Sequence, residues 1–154
     1  LLKASPLDQE KYGLVGGVTK VHITKLTQLV QSNLLPIISP IAIGEDGKRN
    51  NVNADTAAGA VASALRAEHL VFVTDVPGIL QEGKLLESVT TSEVQELIAD
   101  GTIYGGMIPK VKAALAGVMG HVNEVMIVDG KESELKDNAS LKGTVIQVDE
   151  KIHV

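Results

Sequence analysis

Apolar residues recur at helical spacing in "ITKLTQLVQSN", where Ile23, Leu26, Leu29 and Val30 fall on one stripe and Asn33 suits the helix end. The next stretch, "LLPIISPIAIG", is a β-branched run bounded by prolines and by Gly44 and followed by an Asp46-Gly47 turn signal, which predicts a buried strand. Ala57, Ala58, Val61, Ala62 and Leu65 mark a second helix whose small residues permit close packing on a sheet. "HLVFVTD" is apolar throughout, as expected of a strand buried on both faces of a parallel sheet. "TSEVQELIADG" predicts a helix capped by Thr91 or Ser92 and stopped at Gly101. In "MIPKVKAALAGVM" apolar positions 107, 108, 111, 115, 118 and 119 predict another, and "EVMIVDG" and "GTVIQVD" read as two further strands. Strands alternating with helices of this length predict an α/β layered fold with a mainly parallel sheet. The first twenty residues show no clear amphipathic helix. No repeat, low-complexity tract or linker divides the chain, so residues 1–154 read as a single α/β domain.

Composition narrows the function. The chain has 154 residues, 44% of them hydrophobic, enough to bury roughly 70% of its unfolded surface in one core. It has no cysteine, which removes disulfide and Cys-based zinc chemistry. A net charge of -5 without a basic stripe, and Tyr12, Tyr104 and Phe72 as the aromatic set, argue against nucleic acid as a partner. No apolar run reaches the roughly 18 to 20 residues needed to span a bilayer, and "LLKASPLDQE" lacks the order of a signal peptide, so no membrane partner and a cytoplasmic location are expected. Because the sequence opens on Leu1 rather than methionine, loss of an upstream portion is also expected. The triplet Asn138-Ala139-Ser140 fits a glycosylation acceptor by chance and is given no weight.

In parallel sheets, ligands collect beyond the carboxyl ends of the strands, where helix starts and loops converge. Three polar constellations fall at such exits. In "NNVNAD", Asn51, Asn53 and Asp55 share one side if the backbone is extended, and could grip a polar ligand; alternatively Asn53 or Asp55 merely caps the following helix. A calcium loop counted from Asn51 fails, since Thr56 and Ala62 stand where glycine and glutamate are required. In "TDVPGIL", Pro77-Gly78 suit a type II turn, which either only reverses the chain or, with Asp75, holds a nucleotide's sugar and base. In "GTIYGGMIPK", Gly105-Gly106 precede a helix start at which free amides and Lys110 would face one spot, a phosphate site unless Lys110 is simply a solvated lysine. The usual phosphate and zinc motifs are missing, and His22, His69, His121 and His153 lie scattered without metal-ligand spacing.

"NVNADTAAGAVASALRAEHLVFVTDVPGIL" followed by "GGMIPKVKAAL" resembles the C-terminal, nucleotide-binding portion of the N-acetylglutamate kinases of the amino acid kinase family, from about Gly13 onward. "NVNAD" is the specific element, whereas "TDVPGI" and "GGMIPK" are shared more widely. The resemblance implies a three-layer α/β/α sandwich and ATP-dependent phosphorylation of the side-chain carboxylate of N-acetyl-L-glutamate, a step in arginine biosynthesis. It implies that Asn51 and Asn53 line the amino-acid site, that Asp55 orients lysines and that Lys110 stabilises the transferring phosphoryl group. Asp75, Val76, Pro77, Gly78, Ile79 and Leu80 would border ATP together with Thr102, Ile103, Tyr104 and Met107, while Mg2+ arrives on the nucleotide's phosphates. A carboxylate nucleophile, ionised near neutral pH, needs no general base, so the lack of a catalytic histidine is expected. Members of the family also carry an N-terminal half with a lysine, a glycine-rich loop and an arginine that cannot be located here. The fragment is therefore expected to be nearly inactive, although the full-length protein would be a homo-oligomer. A uridylate or glutamate kinase, or a nucleotide-binding domain without catalysis, are the alternative readings.

Overall fold

The computed structural model describes residues 1–131 and 141–149, so Asn138 and His153 lie outside the described residues. The opening residues form strand β1 (Leu2–Pro6), a single helical turn α1 (Gln9–Tyr12) and strand β2 (Gly16–Val21), with β1 and β2 antiparallel. Asp8 starts the turn by accepting a hydrogen bond from Lys11 N at 3.1 Å. Helix α2 (Ile23–Gln31) follows as expected, and Asn33 just beyond it has φ 55, a left-handed conformation that asparagine tolerates.

Of the apolar run at 34–44, only β3 (Ile41–Ile43) forms a strand. Leu35 is 87% exposed and Ile37 94%, so the expected buried strand is largely an open segment. Pro36 and Pro40 explain the difference: neither has an N–H to give to a ladder, and the Pro40 carbonyl instead accepts from Val52 N at 2.9 Å.

Strand β3 pairs parallel to β1 and antiparallel to β4 (Arg49–Asn51), making a sheet of order β2-β1-β3-β4. After α3 (Ala54–Leu65), the chain continues through β5 (His69–Thr74), a hairpin of β6 (Leu80–Gln81) and β7 (Lys84–Leu85), and β8 (Ser88–Thr90). Helices α4 (Thr91–Ala99) and α5 (Met107–Met119) then lead to β9 (Glu124–Asp129) and β10 (Gly143–Gln147). The second sheet has the order β5-β9-β10-β8, with β5·β9 and β10·β8 parallel and β9·β10 antiparallel. The α/β class is as expected, and the pairing within it is mixed: β3 and β4, or β6 and β7, are joined by turns too short for a crossover and must run antiparallel.

The expected double-sided burial of β5 is also incomplete. Leu70 and Phe72 are buried, whereas Val73 is 48% exposed on the opposite face. Helix α3 packs along α5 and against β2 and β5. Its Ala57 joins a small core of Leu2, Ala4, Ala42 and Val52, while Ala62 joins the larger core around Val111, Val125, Ile127 and Ile146. Small residues thus let one helix serve both sheets.

The cap of α4 is Thr90, ahead of the expected Thr91 or Ser92. Its hydroxyl accepts from Glu93 N at 3.3 Å and its N–H donates to Glu93 Oε2 at 2.7 Å, a reciprocal box. Thr91 and Ser92 instead donate to Asp149 just beyond β10, the Thr91 hydroxyl through Oγ1 and Ser92 through its N–H at 3.3 Å. The Thr91 hydroxyl first, then those of Thr90 and Ser92, hold the Asp149 carboxyl down at about 2, against an ordinary value of 3.8. A depressed carboxylate stabilises the fold above its unfolded-state value, and that contribution is lost as pH falls through the folded one. Melting temperatures should therefore favour the natural protein over Asp149→Asn from neutrality down to about pH 4, with the gap closing between about pH 4 and pH 2. A gap independent of pH would show that the carboxylate's charge is irrelevant to this tether.

Candidate functional site

The starts of α3 and α5 lie side by side. The Lys110 ammonium donates to both carboxylate oxygens of Asp55, at 3.0 and 3.2 Å. Farther along, a methyl group added at Gly59 would sit 3.1 Å from the Ala113 carbonyl oxygen, so the two helices run in the same direction in close contact. The paired side chains retain only 16% (Lys110) and 24% (Asp55) exposure, and the ammonium also stands 5.7 Å from the centroid of the Phe72 ring on β5. Two constellations far apart in sequence thus converge on one point.

The row Asn51, Asn53, Asp55 does not form, because the strand ends at Asn51 and helix α3 begins at Ala54. Asn53 is its cap, its side-chain oxygen accepting from Thr56 N at 3.0 Å and from the Thr56 hydroxyl at 3.2 Å. Asn51 is held by its N–H, which donates to the Leu14 carbonyl at 2.7 Å. Helix geometry turns Asp55 toward α5, away from the direction that alternation along a strand assigns to it.

A cleft of about 800 Å³ opens beside Lys110, within the roughly 300–1,000 Å³ range of small-molecule sites. Asp75, Val76, Gly78, Ile79 and Leu80 form one wall, and Thr102, Ile103, Tyr104 and Met107 the other. Pro77, Asn51 and Asn53 do not line it; Asn53 borders a separate groove of about 430 Å³ between α3 and α5. Thr74, Gly101 and Gly106, from the two flagged stretches, also face the cleft, and sequence reading overlooked Glu82 and Gly83. Glu82-Gly83, with φ 51 and 78, close the β6–β7 hairpin, and such a pair between two short strand-like runs was the available signal.

The type II turn expected at Pro77-Gly78 is absent. Gly78 has φ 141, outside that turn, and is pressed against β10: an added methyl would lie 2.5 Å from Thr144 Oγ1 and 3.0 Å from Thr144 N. The fully buried Thr144 hydroxyl accepts from Ile79 N at 2.8 Å, pinning the cleft wall to the sheet. The opposite wall is set by Asp100, whose carboxylate accepts from Thr102 N at 2.8 Å, a bond that lowers its pKa. Two of the amides expected to be free at the start of α5 are engaged. Met107 N donates to the Tyr104 carbonyl and Ile108 N to that of Gly105, each at 3.2 Å, and Pro109 has no N–H.

Mixed sheets flanked by helices, with a cleft between a strand exit and a helix start, define a mixed α/β fold. Residues 2–129 match the model of the amino acid kinase family, and the chain belongs to that family. It is 50% identical to the acetylglutamate kinase of Geobacillus sp. (strain WCH70) over 147 residues, which are 96% of this chain and 57% of the relative. The chain thus spans little more than half the length of the curated relatives it matches. Among solved structures it is similar to smu.665 of Streptococcus mutans UA159, with a TM-score of 0.86 and 36% identity across 96% of this chain and 57% of that one. It is also similar to the N-acetylglutamate synthase of Neisseria gonorrhoeae complexed with coenzyme A and L-arginine, with a TM-score of 0.81 and 26% identity, covering 95% of this chain and 36% of that one. Among the described residues, no helix is long and apolar enough to cross a membrane, and no cluster of three His, Cys, Asp or Glu could hold a metal ion.

Proposed function

We propose that the cleft holds ATP and that Lys110, steadied by Asp55, stabilises the γ-phosphoryl group as it passes to the side-chain carboxylate of N-acetyl-L-glutamate. The bond formed joins a carboxylate oxygen to phosphorus; the bond broken is that between the γ-phosphorus and the bridging oxygen, which leaves with ADP. The observation that carries this reading is the Asp55–Lys110 pair at the rim of the cleft. Phosphoryl transfer asks for positioned positive charge rather than covalent help, and an ammonium that is four-fifths buried acts through a lower dielectric than water. Asp55 fixes the direction of the ammonium. Mg2+ keeps much of its coordination in water and phosphate, so a cation carried by the nucleotide needs no cluster of protein carboxylates. When bound, it would neutralise charge on the phosphates.

In this reading the 154 residues are the nucleotide-binding lobe of a longer cytoplasmic homo-oligomer, and Asn51 and Asn53 serve the amino-acid substrate from outside the cleft. The test is a coupled assay of ADP release by a protein of the relatives' length that contains this segment. N-acetyl-L-glutamate should support turnover while uridylate and glutamate do not, and the 154-residue chain alone should turn over negligibly. Turnover with either competitor alone would refute the substrate assignment.

Tyr104, 76% exposed at the cleft mouth, is positioned to cover a base. Stacking of a base on an aromatic ring contributes about 1–3 kcal/mol. Tyr104→Ala should therefore raise the KM for ATP by about tenfold or more without a matching fall in kcat, whereas an unchanged KM would remove Tyr104 from the site.

A further inference from the structure

Lys110 is held by two groups that act on its charge in different ways. A lysine ammonium carries three N–H donors on a flexible four-carbon stem. The Lys110 ammonium donates to the two oxygens of Asp55 at 3.0 and 3.2 Å, and that carboxylate steers it while offsetting its charge. One carboxylate on α3 fixes a distance and leaves the stem free to swing about it. The Phe72 ring supplies a second restraint, its centroid 5.7 Å from the ammonium, inside the roughly 6 Å reach of a cation–π contact. An aromatic face attracts a cation through its quadrupole and has no net charge, so it does not cancel the positive charge offered to a ligand.

The ring is 4% exposed and belongs to the core around Val111, Val125 and Ile127, so packing sets its plane. It does not line the cleft, although Thr74 and Asp75 at the exit of the same strand do. Stacking on a base, the use its aromatic character suggests, is therefore closed to it. We propose that Phe72 is a positioning residue for phosphoryl transfer, bracketing the Lys110 ammonium from β5 while Asp55 holds it from α3. The proposal rests on reading Lys110 as the group that meets the phosphoryl. A leucine at this position would fill most of the space but offer the ammonium no negative face. Because misplaced charge is felt more by the transition state than by bound substrate, the loss should fall on kcat.

In a protein of the relatives' length that contains this segment, a cooperatively melting Phe72→Leu variant should lower kcat about tenfold and leave the KM for ATP within about twofold. An unchanged kcat, or a loss carried by KM, would overturn the proposal. Phe72 is the sole phenylalanine among the 154 residues, so growth on 3,4,5-trifluorophenylalanine alters this ring alone in the 154-residue chain. Fluorine withdraws charge from the ring face with little change of shape. The exchange should cost about 2 °C more in melting temperature in the natural background than beside Lys110→Met, where no cation remains. Equal shifts in the two backgrounds would show that the ring only packs, and this measurement decides the matter if Phe72→Leu does not fold. Full activity of Lys110→Met would remove the reading on which the proposal rests. An inactive Lys110→Met beside a fully active Phe72→Leu would remove the proposal alone.

Discussion

Lys110→Met, introduced into a protein of the relatives' length, should lower kcat by about two to three orders of magnitude, the range seen when one preorganised charge-stabilising donor is removed. The same change in the 154-residue chain should also reduce stability. The Asp55 side chain is 24% exposed and would lose its charged partner at 3.0 Å, leaving a largely buried carboxylate without the Lys110 ammonium. Breaking a fully buried pair costs about 3–5 kcal/mol, and the residual solvent contact here reduces that to about 1–2 kcal/mol. The double variant Asp55→Asn/Lys110→Met separates the two effects. Neutralising both partners should recover most of the lost stability while activity stays down, since the charge that meets the phosphoryl group is still missing. Recovery of activity together with stability would show that Lys110 only holds the two helices together. A Lys110→Met variant that keeps full activity would remove Lys110 from the chemistry.

The second large effect is expected at Gly78. A methyl group there meets Thr144 Oγ1 at 2.5 Å, Leu85 Cδ1 at 2.8 Å and Thr144 N at 3.0 Å, and φ 141 is itself unfavourable for alanine. The Leu85 contact is the end of a flexible side chain and can give way. The Thr144 contacts cannot, because that side chain is buried and already holds Ile79 N. Backbone strain and overpacking together should make Gly78→Ala about 3 kcal/mol less stable, or roughly 10 °C in melting temperature for a chain of this size. Because the displaced segment is a wall of the cleft, nucleotide binding should weaken as well. A urea midpoint close to that of the natural protein would mean that the loop can lift off β10 freely, and the account of how this wall is held would be wrong.

Much of the fold was legible because its strongest elements bury one face within a local window. The repeats in α3 and α5, and the apolar runs of β5, β9 and β10, state their own periods, and the structure places these elements as expected. The weaker parts were not legible. β1 and β2 are short and separated by one helical turn, and their stability comes from pairing with each other and with β3. The run at 34–44 is apolar enough for a strand, but Pro36 and Pro40 withhold the donors a ladder requires. The cap of α4 moved to Thr90 because Asp149, 58 positions away from Thr91, takes the hydroxyl that local sequence offers as the cap.

The site divides along the same line. Short-range chemistry in the sequence alone determined which segments carry it: an asparagine-aspartate stretch before a helix, a strand ending in aspartate and a Pro-Gly, and a glycine pair leading into Lys110. Those features depend on neighbours within a few residues. Only the tertiary structure decided which groups meet. Asp55 and Lys110 are 55 residues apart, and their contact depends on α3 and α5 packing with their starts aligned. Asn53 became a cap because helix α3 begins at Ala54, and the amides of Met107 and Ile108 were consumed by the loop before α5. A side chain or amide has a limited number of partners, and sequence states its capacity to bond while packing assigns the partner.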